Sequence, residues 1–587
     1  MILTMKPILI ALSLACLATA APVKLVQEPP VSVTEPAPGV VLVDFGKVSF
    51  GNIEITAPKG AEGGFKVHFG EASQDGRINR KPPGTVRYSF AEGKWTGGKP
   101  QVVAPPVDAR NTQQGDGRTP PAILTPKEWG VITPFRWIEI EGFPGGAKPE
   151  HFVRRSAFSS DWDDAASHFE SSDETLNRIW ELCKYSIKAT TFAGVYVDGD
   201  RERIPYEADA YLNQLSHYAT DDDIHFARDS FDYLIKYGTW PTEWAPHLVF
   251  MVKADWMRTG DKEWLAPRYE KLKKRILMER VGPDGLVTSN AAQMKKGDIV
   301  DWPHTERDGF VFTSKNTVVN AFHWKAVRDM VDLAAALGKT DEEKEYRERY
   351  ASTGAVFRKT FFNEATGLYR DGVGTDHSAI HSNFFPLAFG LVPFDKRPRV
   401  LAFLKKSGMK CSVYAAQYLM EAMFDHGAER AALALITADG DRSWKHMVNS
   451  GTTITWEAWD QKYKPNQDWN HAWGAAPANL LSSYVLGTRP AVPGWKTATI
   501  SPRTGDLSFA KGKVPTPRGP ILIDWENGVD FTLSLELPVG MSAKVDLPAS
   551  GESGVVYVDG IKADAKLENG RWILAGEISG KGKIEVK

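Results

Sequence analysis

Residues 171–189 read SSDETLNRIWELCKYSIKA, and across them the hydrophobic period lengthens from two to 3.6. Ser171 and Glu174 stand at the spacing of a capping box. Leu176, Ile179, Trp180, Cys183 and Ile187 then recur at helical intervals, which predicts a helix from about Asp173 to Ala189 with one apolar face. Before this stretch the pattern alternates, as in Val41-Leu42-Val43-Asp44-Phe45, Gly64-Phe65-Lys66-Val67-His68-Phe69 and Phe135-Arg136-Trp137-Ile138-Glu139-Ile140, with Gly and Pro turns between. That predicts an antiparallel sandwich, interrupted by a Pro- and Gly-rich loop from Pro105 to Pro121.

After residue 171 helices dominate as far as Gly487. About twelve amphipathic segments are expected, three of them over 263–280, 427–447 and 470–487, with no repeat of fixed period. Twelve helices in pairs can close into an (α/α)6 toroid. From 489 the two-fold alternation returns in Ile521-Leu522-Ile523-Asp524-Trp525 and Phe531-Thr532-Leu533-Ser534-Leu535, with Asn527-Gly528 and Asn569-Gly570 as turns. The chain therefore divides into a leader (1–20), an N-terminal β-sandwich (21–160), an all-α domain (161–488) and a C-terminal β-sandwich (489–587).

Lys6 precedes an apolar run from Pro7 to Ala20 that closes on Ala18-Thr19-Ala20, the pattern of a secretory signal peptide cleaved near Ala21. The protein is expected to be periplasmic or secreted. A lipoprotein alternative would acylate Cys16, but no Leu stands three places before it. Without Cys16, Cys183 and Cys411 remain in apolar helical patterns, as buried thiols or as a disulfide that export permits. A net charge of −2 on 587 residues lacks the basic excess of a nucleic-acid binder, and no run is long enough for a transmembrane segment. Aromatic residues reach 11%, with 19 Trp; most fill a core, but indole faces also suit sugar rings.

Chemistry belongs on the long connections of the helical domain. The first, 197–209, packs Asp198, Asp200, Glu202, Glu207 and Asp209 with Arg201 and Arg203. The second contains Asp298, Asp301, Trp302 and His304. The third runs from Thr452 through Trp456-Glu457-Ala458-Trp459-Asp460 to Asp468-Trp469-Asn470-His471-Ala472-Trp473. Glycosidic hydrolysis needs one carboxyl to protonate the leaving oxygen and a second to activate water or attack the anomeric carbon, and charges and burial around a pair separate their roles. A plainer reading lets Arg201 or Arg203 pair with Glu207 or Asp209 across a helix turn. Asp198-Gly199-Asp200 hints at calcium without EF-hand spacing, and His377 and His381, four apart, lack the Glu of a zincin. No P-loop, Gly-x-Ser-x-Gly or Gly-x-Gly-x-x-Gly occurs, so nucleotide hydrolysis, serine esterase and nicotinamide chemistry lack their usual motifs.

At these loops the chain resembles the bacterial α-L-rhamnosidases of glycoside hydrolase family 78. Asp198 followed by Arg201-Glu202-Arg203-Ile204-Pro205-Tyr206-Glu207-Ala208-Asp209 is similar to the family's acidic motif, and Thr452-Thr453-Ile454-Thr455-Trp456-Glu457 to the context of its second glutamate. The resemblance implies an inverting hydrolase of terminal α-L-rhamnosides with Glu202 as general acid, Glu457 as general base and the two carboxyls about 6.5 to 9.5 Å apart. It further implies substrate binding by Asp198, Asp209, Asp301, Trp302, Trp456 and His471, a carbohydrate partner, and no organic cofactor or metal. Two departures stand out. The spacing between Asp198 and Glu202 is shorter than in the family, which leaves both Arg201 and Arg203 as candidates to bind sugar. Tyr206 replaces the usual Trp with a smaller ring and a hydroxyl. The rival readings are another (α/α)6 glycosidase or lyase on a different sugar, and an exported glycan-binding protein without turnover.

Overall fold

A computed structural model describes residues 23–115, 119–549, 551 and 554–587. The expected leader at 1–20, with Cys16, lies outside the described residues. The N-terminal region is an eight-stranded antiparallel sheet organised on one long strand, Val40–Thr56. Its first half pairs with Glu141–Trp137; its second half pairs with Phe152–Ser156 on one edge and Pro100–Val103 on the other. The register shifts between Asp44 and Ser49, where Gly46 turns at φ 79° and donates its N–H to Asp44 Oδ1 at 2.7 Å. A bulge of this kind bends the strand, so that one sheet folds over its own core of Val43, Ile53, Phe135 and Ile138.

The helix over the opening stretch spans Glu174–Ala189 (α1). Its N-cap is Asp173, whose carboxylate accepts from the Thr175 and Leu176 N–H groups; Ser171 instead donates its N–H and hydroxyl to Asn177 Oδ1, so the expected Ser171–Glu174 capping box does not form. The strand just before α1, His168–Ser171, pairs with Ala510–Lys513 and so completes the C-terminal sheet. Helices follow at Glu207–Thr220 (α2), His225–Tyr237 (α3), His247–Thr259 (α4), and onward to Ala476–Leu480. That last helix packs against both α1 and α2, which brings the end of the helical region back to its beginning.

Three expected helices break. The segment 263–280 is helical only to Leu272 and passes through Leu277 at φ 60°. The segment 427–447 divides into Glu429–Ile436 and Trp444–Asn449, the second capped by Ser443. The segment 470–487 begins irregularly, because it enters its helix only at Ala476, with Pro477 in the first turn. Cys183 and Cys411 are both buried free thiols.

The C-terminal region holds a six-stranded sheet and most of a seven-stranded one, whose buried residues share one core. Ile521, Ile523 and Trp525 point inward while Leu522, Asp524 and Glu526 face solvent, as alternation requires. Asn569 and Gly570, at φ 49° and 73°, make the tight turn between Glu568 and Arg571. The Trp525 indole donates to Val485 O at 2.9 Å and ties this sheet to the helices. No helix among the described residues is long and apolar enough to cross a membrane.

Between the N-terminal sheet and the helices lies a small apolar contact. Phe50 stacks on Phe192 with centroids 3.8 Å apart, beside Val197 and Ile454. Those two residues lead directly into the loops that carry Asp198 and Glu457, so this contact sets the relative height of both.

Candidate active site

The loop 198–206 closes on itself before it enters α2. The Asp198 N–H donates to Ile204 O at 2.9 Å, the Ile204 N–H to Asp198 Oδ1 at 3.0 Å, and the Arg203 N–H to Gly199 O at 2.9 Å. Arg203 sits at φ 54°, a left-handed conformation that costs about 1–2 kcal/mol for a residue with a Cβ. Its guanidinium offsets that cost by binding Asp200 Oδ1 and Ile132 O, each at 2.6 Å. Gly199 is required for close approach: a Cβ there would stand 2.7 Å from Asp468 Oδ2.

This turn projects Asp198, Arg201, Glu202 and Tyr206 into a cavity of about 230 Å³, whose remaining walls are Asp209, Trp240, Trp244, Trp302, Glu457, His471 and Trp473. Four separate loops and the first turn of α2 thus meet at one void. Arg201 donates to Glu457 through Nη1 at 2.7 Å and Nη2 at 3.0 Å, and to Glu202 through Nε at 3.2 Å. Lys464 Nζ lies 3.1 Å from Glu457 Oε1, and the Tyr206 hydroxyl donates to Glu202 Oε2 at 3.2 Å. Glu457 is 2% exposed, with two cationic partners, whereas Glu202 keeps a face toward the cavity.

His471 lies between two carboxylates, with Nε2 2.7 Å from Asp209 Oδ1 and Nδ1 3.3 Å from Asp468 Oδ1. Burial alone would lower its pKa, but these two partners push it up to about 10, so the ring is a cation at neutral pH. Burial, and then the charge of Glu202, hold the Asp198 carboxyl well above the usual range. Burial also raises Asp209, an effect His471 partly offsets. The cavity therefore mixes carboxyls of different proton affinity with a fixed imidazolium and four indoles.

Of the expected site residues, Asp198, Arg201, Glu202, Tyr206, Asp209, Trp302, Glu457 and His471 line this void. Three do not. Arg203 turns away to Asp200, which leaves Arg201 as the arginine in the cavity. Asp301 is fully buried and spends its oxygens on His381 Nε2 at 2.6 Å, the Ser412 N–H at 2.9 Å and the Ser412 hydroxyl. Trp456 is buried in a stack on Trp469, with centroids 4.9 Å apart. Neither arginine pairs with Glu207 or Asp209; Glu207 accepts from the Thr239 N–H at 2.9 Å and so fixes the turn that presents Trp240.

Trp240, Trp244 and Lys464 were not among the residues expected from sequence, whereas Trp473 closed the third candidate stretch without an assigned role. Trp240 had a weak signal, an indole beside Pro241 in a Gly-Thr turn, and it is 39% exposed at the rim, 6.5 Å from the Trp302 ring. Lys464 had none.

Glu457, Asp468 and His471 place potential metal ligands within 4.8 Å of one another. Arg201 and Lys464 already occupy Glu457, and His471 is a cation, so the cluster is matched to protein cations rather than to a metal. Asp200, the second acid of the calcium-like triplet, is likewise engaged by Arg87 and Arg203. His377 pairs with Asp371 and His381 with Asp301, so those two histidines share no ligand. A larger cavity of about 570 Å³ lies behind the 198–206 loop; it is lined by Arg87, Asn111, Asp200 and Arg203 among others and includes neither Glu202 nor Glu457.

The family model of the bacterial alpha-L-rhamnosidase six-hairpin glycosidase domain matches residues 164–485, and that of the bacterial alpha-L-rhamnosidase C-terminal domain matches 487–562. An alpha-L-rhamnosidase of Alteromonas sp. (strain LOR) is 25% identical over 459 residues, covering 71% of this chain and 48% of its own length. Among solved structures, the alpha-L-rhamnosidase of Dictyoglumus thermophilum superposes with a TM-score of 0.78 at 19% identity, over 97% of this chain and 64% of its own. The Streptomyces avermitilis alpha-L-rhamnosidase complexed with L-rhamnose also gives 0.78, at 18% identity, over 97% and 54%. The chain spans about half the length of the curated relatives it matches.

Proposed function

Because the chain belongs to the bacterial alpha-L-rhamnosidase six-hairpin glycosidase family, we propose that it hydrolyses terminal α-L-rhamnosyl residues of glycosides or polysaccharides with inversion. The observation that carries this reading is the pair Glu202 and Glu457, 255 positions apart in sequence, on the wall of one aromatic-lined cavity with Arg201 bonded to both.

In this mechanism Glu202 protonates the departing glycosidic oxygen while Glu457 takes a proton from the water that attacks the opposite face of the sugar. The partners match that division. Glu457 is fixed by Arg201 and Lys464 and cannot swing, as a base aimed at one water requires, while Glu202 faces the void beside the Tyr206 hydroxyl. Asp198, Asp209 and His471 offer acceptors and a charged donor for sugar hydroxyls, and Trp302 offers an apolar face. We extend the proposal to the architecture: the helices pair as six hairpins closed into an (α/α)6 barrel, supported by the packing of the last helix on α1 and α2. Export to the periplasm or medium, proposed from the apolar leader, suits an enzyme acting on glycosides outside the cell.

A panel of aryl glycosides followed by proton NMR tests the reading. The expected result is cleavage of the α-L-rhamnoside with β-L-rhamnose as the first product. Release of the α anomer first would replace inversion by retention, an unsaturated product would indicate a lyase, and binding without turnover would leave a glycan-binding protein.

A further inference from the structure

The N-terminal sheet reaches the cavity wall through one buried carboxyl. Glu71, 5% exposed at the end of the strand Gly64–Gly70, accepts from Asn470 Nδ2 at 2.9 Å and from the Arg87 N–H at 2.6 Å. Asn470 is fully buried, and its Oδ1 accepts the Asp200 N–H at 2.7 Å. Arg87 completes the circuit, with Nη2 donating to Asp200 O at 2.9 Å and Nε to the Asp200 carboxylate. Asp200 is two residues from Glu202, and Asn470 adjoins His471.

The connection that follows Glu71 touches the third loop a second time, at a turn just before the strand that begins at Tyr88. The Thr85 N–H donates to Gln467 O at 3.1 Å, and the Thr85 hydroxyl donates to Asn466 O at 3.1 Å, a carbonyl that also accepts Arg201 Nη1 at 2.9 Å. The approach is close: a Cβ on Gly84 would stand 2.7 Å from Gln467 O. We propose that Glu71 is a positioning residue for the hydrolytic site, holding the loops that carry Glu202 and His471 in register through Asn470. The proposal rests on the glycosidase reading of the cavity for its kinetic consequence only.

The physical reason is the direction of the Asn470 amide. Its oxygen must face the Asp200 N–H and its nitrogen the N-terminal sheet. Only an acceptor at position 71 enforces that sense, because the flipped amide would set two donors face to face at Asp200. Without the Glu71 carboxyl, Asn470 Nδ2 and the Arg87 N–H lose their partners at a buried interface. The 198–203 and 466–471 segments then lose their common anchor, and misplacement of a catalytic group by about 1 Å costs about 100-fold in rate.

The test uses the full chain with Glu71→Ala, Asn470→Ala, their double variant, and Tyr185→Phe as control. Tyr185 donates to Val48 O at 2.8 Å across the same two regions, well before the 198–203 and 466–471 segments in which exchange is read. Glu71→Ala is expected to lower kcat on an aryl α-L-rhamnoside about 10- to 100-fold with KM changed less than about threefold. The double variant should be no worse than Asn470→Ala, and Tyr185→Phe should keep wild-type kcat. Amide hydrogen exchange over 198–203 and 466–471 is expected to accelerate at least about tenfold in Glu71→Ala and not in Tyr185→Phe. Unchanged exchange in both segments overturns the proposal whether or not the protein cleaves rhamnosides, whereas an inactive wild type with accelerated exchange sinks only the functional reading. Should Glu71→Ala fail to fold, Asn470→Ala, which breaks the same Glu71–Asn470–Asp200 link from its other side, carries the exchange measurement with the same expected sign.

Discussion

Arg201 grips Glu457 with a two-pronged contact, Nη1 to Oε2 at 2.7 Å and Nη2 to Oε1 at 3.0 Å, although the two residues come from loops at opposite ends of the helical region. The planar fork fixes the carboxylate in two directions, which a single point charge cannot do. Arg201→Ala leaves Glu457 buried with Lys464 as its remaining cation and is expected to cost about 3 kcal/mol in chemical denaturation. Arg201→Lys should retain most of that stability yet lose activity, because the carboxylate is no longer held in one plane. Full activity in Arg201→Lys would remove the orienting role.

The two glutamates are separable by leaving group. Glu202→Gln and Glu457→Gln should both lower turnover on an alkyl rhamnoside by about 10²- to 10⁴-fold with the thermal transition preserved. On an aryl rhamnoside whose phenol leaves without protonation, Glu202→Gln should recover much of its rate and Glu457→Gln should not. Recovery in the opposite variant would exchange the two roles.

His471 makes the site sensitive to alkali. Its folded pKa of about 10 lies above the ordinary histidine value, so the proton is bound more tightly in the folded chain. The corresponding stability is fully present below about pH 6.5 and is lost as pH rises through about 10. Tm followed from pH 6 to 10.5 should fall more steeply in the wild type than in His471→Gln, which cannot titrate. Parallel curves would show that the Asp209–His471–Asp468 triplet contributes nothing to this dependence.

Asp301 is expected to act on the fold rather than on sugar. Asp301→Ala deprives His381 and the Ser412 N–H of their acceptor in a dry interior and should destabilise by about 3 kcal/mol. Denaturation and rhamnose calorimetry together decide the matter. An Asp301→Ala protein of wild-type stability that no longer binds rhamnose would return Asp301 to the cavity wall.

Much of this was legible along the chain. The period change at 171, the Asn569-Gly570 turn and the alternation of Ile521 to Trp525 depend on neighbours within a few residues, and each appears in the structure where the pattern put it. The density of acids in 197–209 marked a loop that lines the cavity, but did not sort them. Asp198, Glu202 and Asp209 face the cavity, whereas Asp200 serves Arg87 and Arg203, and Glu207 serves Thr239. That sorting follows from the left-handed turn at Arg203 and from partners far away in sequence, which no local pattern encodes.

The sequence by itself determined the order of sheet, helices and sheet, the loops rich in carboxylates and indoles, and the two glutamates within them. Only the tertiary structure decided that Arg201 and not Arg203 enters the cavity, that Asp301 is spent on Ser412 and His381, and that Glu71 of the N-terminal sheet closes the circuit behind Asn470. The reason is range. Periodicity and caps are satisfied within a turn or a strand, while the partner of a buried charge is whatever the packed chain brings within about 3 Å of it.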